Sequence, residues 1–75
     1  GKTTVSFFVP SRRKVTVDVY DVTGRRIAAL AEKTYDRGTH SVDWEPDPSS
    51  VGSGVFFCVI GHGRSKRVLK MILIR

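Results

Sequence analysis

The strongest constraint on this chain lies in residues 14–27, where "KVTVDVY" runs into "DVTGRRI". Val15, Val17 and Val19 fall on one side of an extended backbone, and Thr16 and Asp18 fall on the other. A period of two fits a strand with one buried face and one wet face. Asp21 can accept backbone N–H bonds from residues just ahead of it, and Gly24 can take a positive φ at no steric cost. "DVTG" therefore reads as a tight hairpin turn joining residues 14–20 to residues 25–31. Ile27 and Leu30 lie three apart, which predicts a bulge or an irregular end in the second arm.

Other segments repeat the theme. "TTVSFFV", residues 3–9, places Val5, Phe7 and Val9 on one face. Pro10 stops it, because proline offers no N–H to a ladder. "SRRK" is a polar turn, and residues 32–38, "EKTYDRG", read as a polar loop ending at Gly38. "THSVDWE" sets His40, Val42 and Trp44 against Thr39, Ser41 and Asp43. "PDPSSVGSG" is a loop by composition. "VFFCVI" is continuously apolar, as expected of a central strand covered on both faces, and "GHG" is a turn. "RSKRVLKMILI" closes the chain with Leu69, Met71 and Leu73 on one face. No segment has a helical period. Six or seven short strands separated by turn signals predict an all-β, antiparallel β-sandwich. The expected core is Val15, Val17, Val19, Val42, Trp44, Phe56, Cys58, Leu69, Met71 and Leu73.

With 75 residues, one domain spanning 1–75 is expected. No apolar run reaches the roughly 18 residues of a membrane-spanning segment. The chain opens on Gly rather than Met and shows no signal peptide, so it reads as a piece of a larger protein. The formal charge is +6, which favours anionic partners, although a solvated surface that keeps a small β-domain soluble is the simpler reading. The single cysteine, Cys58, excludes an internal disulfide and a metal-binding Cys pair.

No catalytic constellation emerges. His40 shares a face with Val42 and Trp44 and belongs at the core margin, while His62 in "GHG" is expected to be exposed. A Cys58–His nucleophile pair lacks an oxyanion turn, and Cys58 sits mid-strand. Asp43, Glu45 and Asp47 are spaced by two and could hold calcium through oxygen ligands, but an acidic solvated edge explains them more simply. Binding to nucleic acid would need exposed aromatics interleaved with basic residues. Here Phe7, Phe8, Phe56, Phe57 and Trp44 lie in apolar runs and are expected in the core. No cofactor and no nucleic-acid partner are expected.

The order of these signals resembles small C-terminal β-sandwich domains of exported bacterial proteins. The likeness is to the type IX secretion C-terminal sorting domain and to the immunoglobulin-like domain of the flagellar hook-capping protein. Asp21, Gly24 and Arg25 match those families' Asp/Asn-x-x-Gly-Arg/Gln turn. Gly38, His40, Val42 and Trp44 match Gly-x-His/Tyr-x-Val-x-Trp. Residues Ser53, Gly54, Val55, Phe56 and Phe57 match Ser-Gly-Val-Tyr-Phe, with Phe56 in place of the usual Tyr. Lys70, Met71, Ile72, Leu73 and Ile74 match the closing basic-apolar strand. The loop "EPDPSSV" departs from the families' more Gly- and Asp-rich segment.

The resemblance implies an immunoglobulin-like or fibronectin III-like sandwich without enzymatic activity. It would be the C-terminal address of a larger exported protein, in the periplasm in transit and then at the cell surface or outside the cell. Implied partners are the outer-membrane export machinery, its processing peptidase and the parent passenger domain. A folded signal must be read from its surface, so the basic residues Lys66, Arg67, Lys70 and Arg75 are the expected partner-binding set. The alternative is a structural interaction module, hook-cap-like or packed on a neighbouring domain such as a carbohydrate-active one.

Overall fold

The computed structural model describes residues 2–74. Six strands follow one another: β1 (Thr3–Val9), β2 (Arg13–Tyr20), β3 (Arg26–Tyr35), β4 (Gly38–Trp44), β5 (Gly54–His62) and β6 (Ser65–Leu73). All pairings are antiparallel. Strands β1 and β4 form a two-stranded sheet, and the other four form a sheet of order β3-β2-β5-β6. The two sheets make the small all-β sandwich that the patterning predicts, consistent with the immunoglobulin-like shape that the resemblance implies. No helix among the described residues is long and apolar enough to cross a membrane.

The alternation of β2 explains its central place. Val15, Val17 and Val19 are at most 1% exposed. Val15 and Val17 pack with Val5, Phe7 and Val9 of β1 and with Cys58 and Ile60 of β5, the first of two core clusters. The second cluster joins Val19, Trp44, Phe56 and Leu73, with the Trp44 and Phe56 rings edge to face at 5.2 Å. Such apolar burial is worth about 25 cal/mol per Å², so these side chains dominate the stability of so small a domain.

The hairpin between β2 and β3 closes at "DVTG" as expected. The Gly24 N–H donates to the Asp21 carbonyl at 3.1 Å, and the Asp21 N–H donates to the Arg25 carbonyl at 3.0 Å. Gly24 has φ of 86°, a region that a Cβ disfavours. Beyond the turn, β3 slips twice against β2, between Val17 and Asp18 and between Val19 and Tyr20. Leu30 and Ile27 are the residues skipped by the pairing, which turns both toward the core beside Ala28. The three-residue spacing in the sequence thus reflects two bulges.

Four expectations need correction. Residues 32–38 are not a polar loop, because β3 continues to Tyr35. Glu32, Lys33 and Thr34 pair with Thr16, Val15 and Lys14, and polar side chains suit the edge of a sheet. Tyr35 is buried and meets Phe7 edge to face at 5.2 Å. "VFFCVI" is central, between β2 and β6, but only one face is covered. Phe56, Cys58 and Ile60 are buried, whereas Val55, Phe57 and Val59 are half-buried on a face that no second sheet packs against. Phe8 leaves the core as well: it points away from Phe7 and is 60% exposed. His62 belongs to β5 rather than to the turn, and it is half-buried. The turn itself is Gly63-Arg64, with Gly63 at φ of 56° in the first central position, as a two-residue hairpin favours.

Candidate recognition surface

The turn residues singled out by the sequence are tightly engaged. One carboxylate oxygen of Asp21, Oδ1, accepts from the Thr23 N–H at 2.9 Å, the Thr23 hydroxyl at 2.6 Å and the Arg25 N–H at 3.1 Å. The hydroxyl bond, above all, holds the Asp21 carboxyl below its usual range, with the two N–H donors and the Arg25 guanidinium acting in the same direction. These bonds are spent within the turn, so Asp21 and Gly24 serve the geometry of the hairpin.

Cys58 is fully buried and unpaired. Burial pushes its thiol up, and the nearby Asp18 carboxylate adds to the shift, so a reactive thiolate is disfavoured. The two histidines are occupied elsewhere. The His40 Nε2–H donates to the Asp36 carbonyl at 2.7 Å, and the ring stacks at a tilt on Tyr35 at 4.8 Å. His62 Nδ1 accepts from Arg13 at 2.8 Å, and Arg13 is held in turn by the carbonyl and hydroxyl of Ser11.

The acidic residues near the end of β4 separate. Asp43 accepts from the Thr4 hydroxyl at 2.8 Å and pairs with Lys2 at 3.7 Å. Asp47 accepts from the Ser49 N–H and hydroxyl in a turn of its own. Among the described residues no group of three His, Cys, Asp or Glu side chains is placed to hold a metal ion.

The basic residues chosen on β6 fall on both sides of the strand. Lys66 stands opposite Gly61 and Lys70 opposite Phe57, on the outer face of the four-stranded sheet. Arg67 stands opposite the buried Ile60 and so rises on the other side of the strand. There it borders an open groove with Phe7, Phe8, Ile60 and His62, which Lys66 also reaches from the strand's start. Lys66, Arg67 and Lys70 are all exposed, and none of the ion pairs among the described residues includes them. Arg75 lies outside the described residues. Val68 and Ile72 share the outer face with the two lysines and are 58% and 67% exposed. The alternation Lys66-Val68-Lys70-Ile72 therefore gives an edge strand a mixed basic and apolar outer row. The sequence grouped the cations by nearness along the chain, and the period of two that splits them was legible in "SKRVLKMIL" itself.

Across the end of the molecule that holds the β5–β6 turn, cations from three corners converge, which nearness along the chain could not show. The registers place Arg13 beside Tyr35, and Thr16 beside both Glu32 and Gly61, with Lys66 next in the row.

Comparison with known families accounts for this architecture. The family described as the secretion system C-terminal sorting domain matches residues 1–75. The chain belongs to that family, and it is accordingly a sorting-signal domain of type IX secretion. Domains of this kind are recognised by export machinery and belong to proteins exported to the cell surface or the extracellular space. Nothing matches the chain among curated proteins or among solved structures.

Proposed function

We propose that residues 1–75 are the C-terminal address of a larger exported protein, read as a folded object by the outer-membrane export machinery after passage through the periplasm. The observation that carries this reading is the match to the sorting-domain family over the whole chain. The fold supports it, since a buried core and closed hairpins leave recognition to surface side chains. The domain works as an address without chemistry of its own, and a processing peptidase of the same machinery separates it from its passenger. Its likeness to the hook-capping immunoglobulin-like domain is a kinship of shape, supported by the shared order of motifs.

The edge strand β6 is the element we assign to recognition. It presents Lys66 and Lys70 on one side and Arg67 on the other, all without carboxylate partners among the described residues. An unpaired edge can also accept a partner strand through its backbone. The test is a reporter carrying residues 1–75 at its C-terminus, expressed in a host with the type IX machine. Wild-type fusion should reach the cell surface or medium. Changing Lys66, Arg67 and Lys70 together to Glu should lower export while leaving the melting curve nearly unchanged, because exposed charges add little stability. If the folded wild-type fusion stays in the periplasm, the sorting reading fails and a structural module takes its place. Normal export of the triple variant would move the read surface away from β6.

A further inference from the structure

The charge of this domain is strongly polarised along its long axis. Extents are 37 × 22 × 16 Å, and strands of nine or ten residues, at about 3.3 Å per residue, fit only the long one. At one tip, Arg12, Arg13 and Lys14 come from the β1–β2 corner, and Lys33 and Arg37 flank the β3–β4 corner. Arg64, Lys66 and Arg67 come from the β5–β6 hairpin. Two carboxylates stand among these cations: Asp36, paired with Arg12, and Glu32, paired with Lys14 at 3.2 Å. Eight cations against two carboxylates equal the formal charge of the whole chain, +6. In the other half, the described cations Lys2, Arg25 and Arg26 are each paired with an aspartate, and Lys70 stands apart.

This separation matters because charge is screened within about 8 Å at physiological ionic strength. Asp18, level with Val59 and Val68 at mid-sheet, is paired with Arg26, and Asp21 and Asp43 lie beyond it toward the other end. Strands β1 and β6 place Lys2 and Ile74 at that far half, so the tip faces away from both ends of the described chain.

We propose that this tip is a docking surface for the phosphate headgroups of an anionic membrane. Its cations come from three separate corners: Arg13 is held by Ser11 and His62, Arg12 and Lys14 by one carboxylate each, and Lys33 by the Tyr35 ring, whereas Arg64, Lys66 and Arg67 enter none of the ion pairs among the described residues. A set of this kind suits a diffuse sheet of phosphates better than one acidic protein of fixed shape. Phe8 adds an apolar contact, 60% exposed in the groove beside Arg67, where a headgroup boundary can take an aromatic ring. The proposal stands apart from export, and its test contains no export machinery.

The test is co-sedimentation of the 75-residue chain with vesicles of phosphatidylcholine alone or of phosphatidylcholine and phosphatidylglycerol. Binding should require phosphatidylglycerol and weaken steeply as salt rises. Arg64→Glu, Lys66→Glu and Arg67→Glu together should lower it by about tenfold or more. Arg25→Glu, Arg26→Glu and Lys70→Glu make the same change in net charge at the far half and should lower it by no more than about threefold. Replacing the three tip residues by Gln provides a milder variant, with melting curves checking the fold of each. Equal losses from tip and far half would overturn the proposal, as would equal binding to both vesicle types. Binding to polyglutamate with vesicles left unbound would assign the tip to an acidic protein surface and overturn it as well.

Discussion

Strands β2 and β6 lie in one sheet, are of similar length and both alternate, yet they meet opposite fates. In β2 every second residue, Val15, Val17 and Val19, is sealed from water. In β6 the residues facing the core are graded: Arg67 is exposed, Leu69 and Met71 are half-buried, and only Leu73 is buried. The difference is cover. Strand β2 has neighbours on both sides and β1 and β4 beneath it, whereas β6 is an edge and gains full cover only where Trp44 and Phe56 reach Leu73. Its outer row alternates lysine with aliphatic residues, and lysines on an exposed edge discourage indiscriminate strand pairing. A central strand thus holds the fold while an edge strand of the same sheet remains free to recognise.

The largest effect should come from removing the side chain on which both strands depend. Trp44 packs with Val19 of β2 and Leu73 of β6. Trp44→Ala should cost about 3–5 kcal/mol. That is comparable with the whole stability of a domain this small, so a thermal scan should show little cooperative unfolding. A variant melting within a few degrees of wild type would mean that the Trp44 cluster is not what covers the two strands.

Next comes the turn that sets which face of β2 is buried. A one-residue slip in register would carry the valines to the wet side. Gly24→Val should cost about 1–3 kcal/mol. Beyond its chain neighbours no described atom lies within 4 Å of an added Cβ, so backbone strain at φ of 86° is the main cost. Gly24→Asn should recover part of it, since Asn tolerates this region better. Equal chemical-denaturation midpoints for Gly, Asn and Val would contradict the turn geometry.

A smaller effect at the same turn depends on pH. The folded state holds the Asp21 carboxyl below its ordinary value, so ionised Asp21 stabilises the fold above the unfolded pKa. That contribution is lost as pH falls through the folded pKa. The melting temperatures of wild type and Asp21→Asn should therefore differ at neutral pH and converge below about pH 4. A constant gap across this range would show that the carboxylate bonds do not help hold the hairpin.

The smallest effect should be on the outer row of β6. Ile72→Thr replaces an apolar side chain that is 67% exposed and should change stability by no more than about 0.5 kcal/mol. A loss near that of Trp44→Ala would mean that the outer face is covered after all, for example by association of the chain with itself, which sedimentation at two concentrations would reveal.

Local chemistry determined the hairpin from Lys14 to Leu30, the stop at Pro10, the bulged spacing of Ile27 and Leu30, and the alternation that makes β2 central. Each depends on neighbours in the chain: a turn residue and its φ, a missing N–H, or a period of two. Only the tertiary structure decided that Glu32 to Tyr35 extend a strand, because their polar side chains are at home on an edge that the sequence does not mark. It decided too that Phe57 and Phe8 stand outside the core, since an apolar run shows that a strand is greasy but not whether a second sheet covers it. The basic tip and the division of Lys66 and Lys70 from Arg67 follow the same logic. Charges far apart in sequence add their fields only after antiparallel pairing has brought three corners to one end, and adjacent charges part when the pleat sends them to opposite faces.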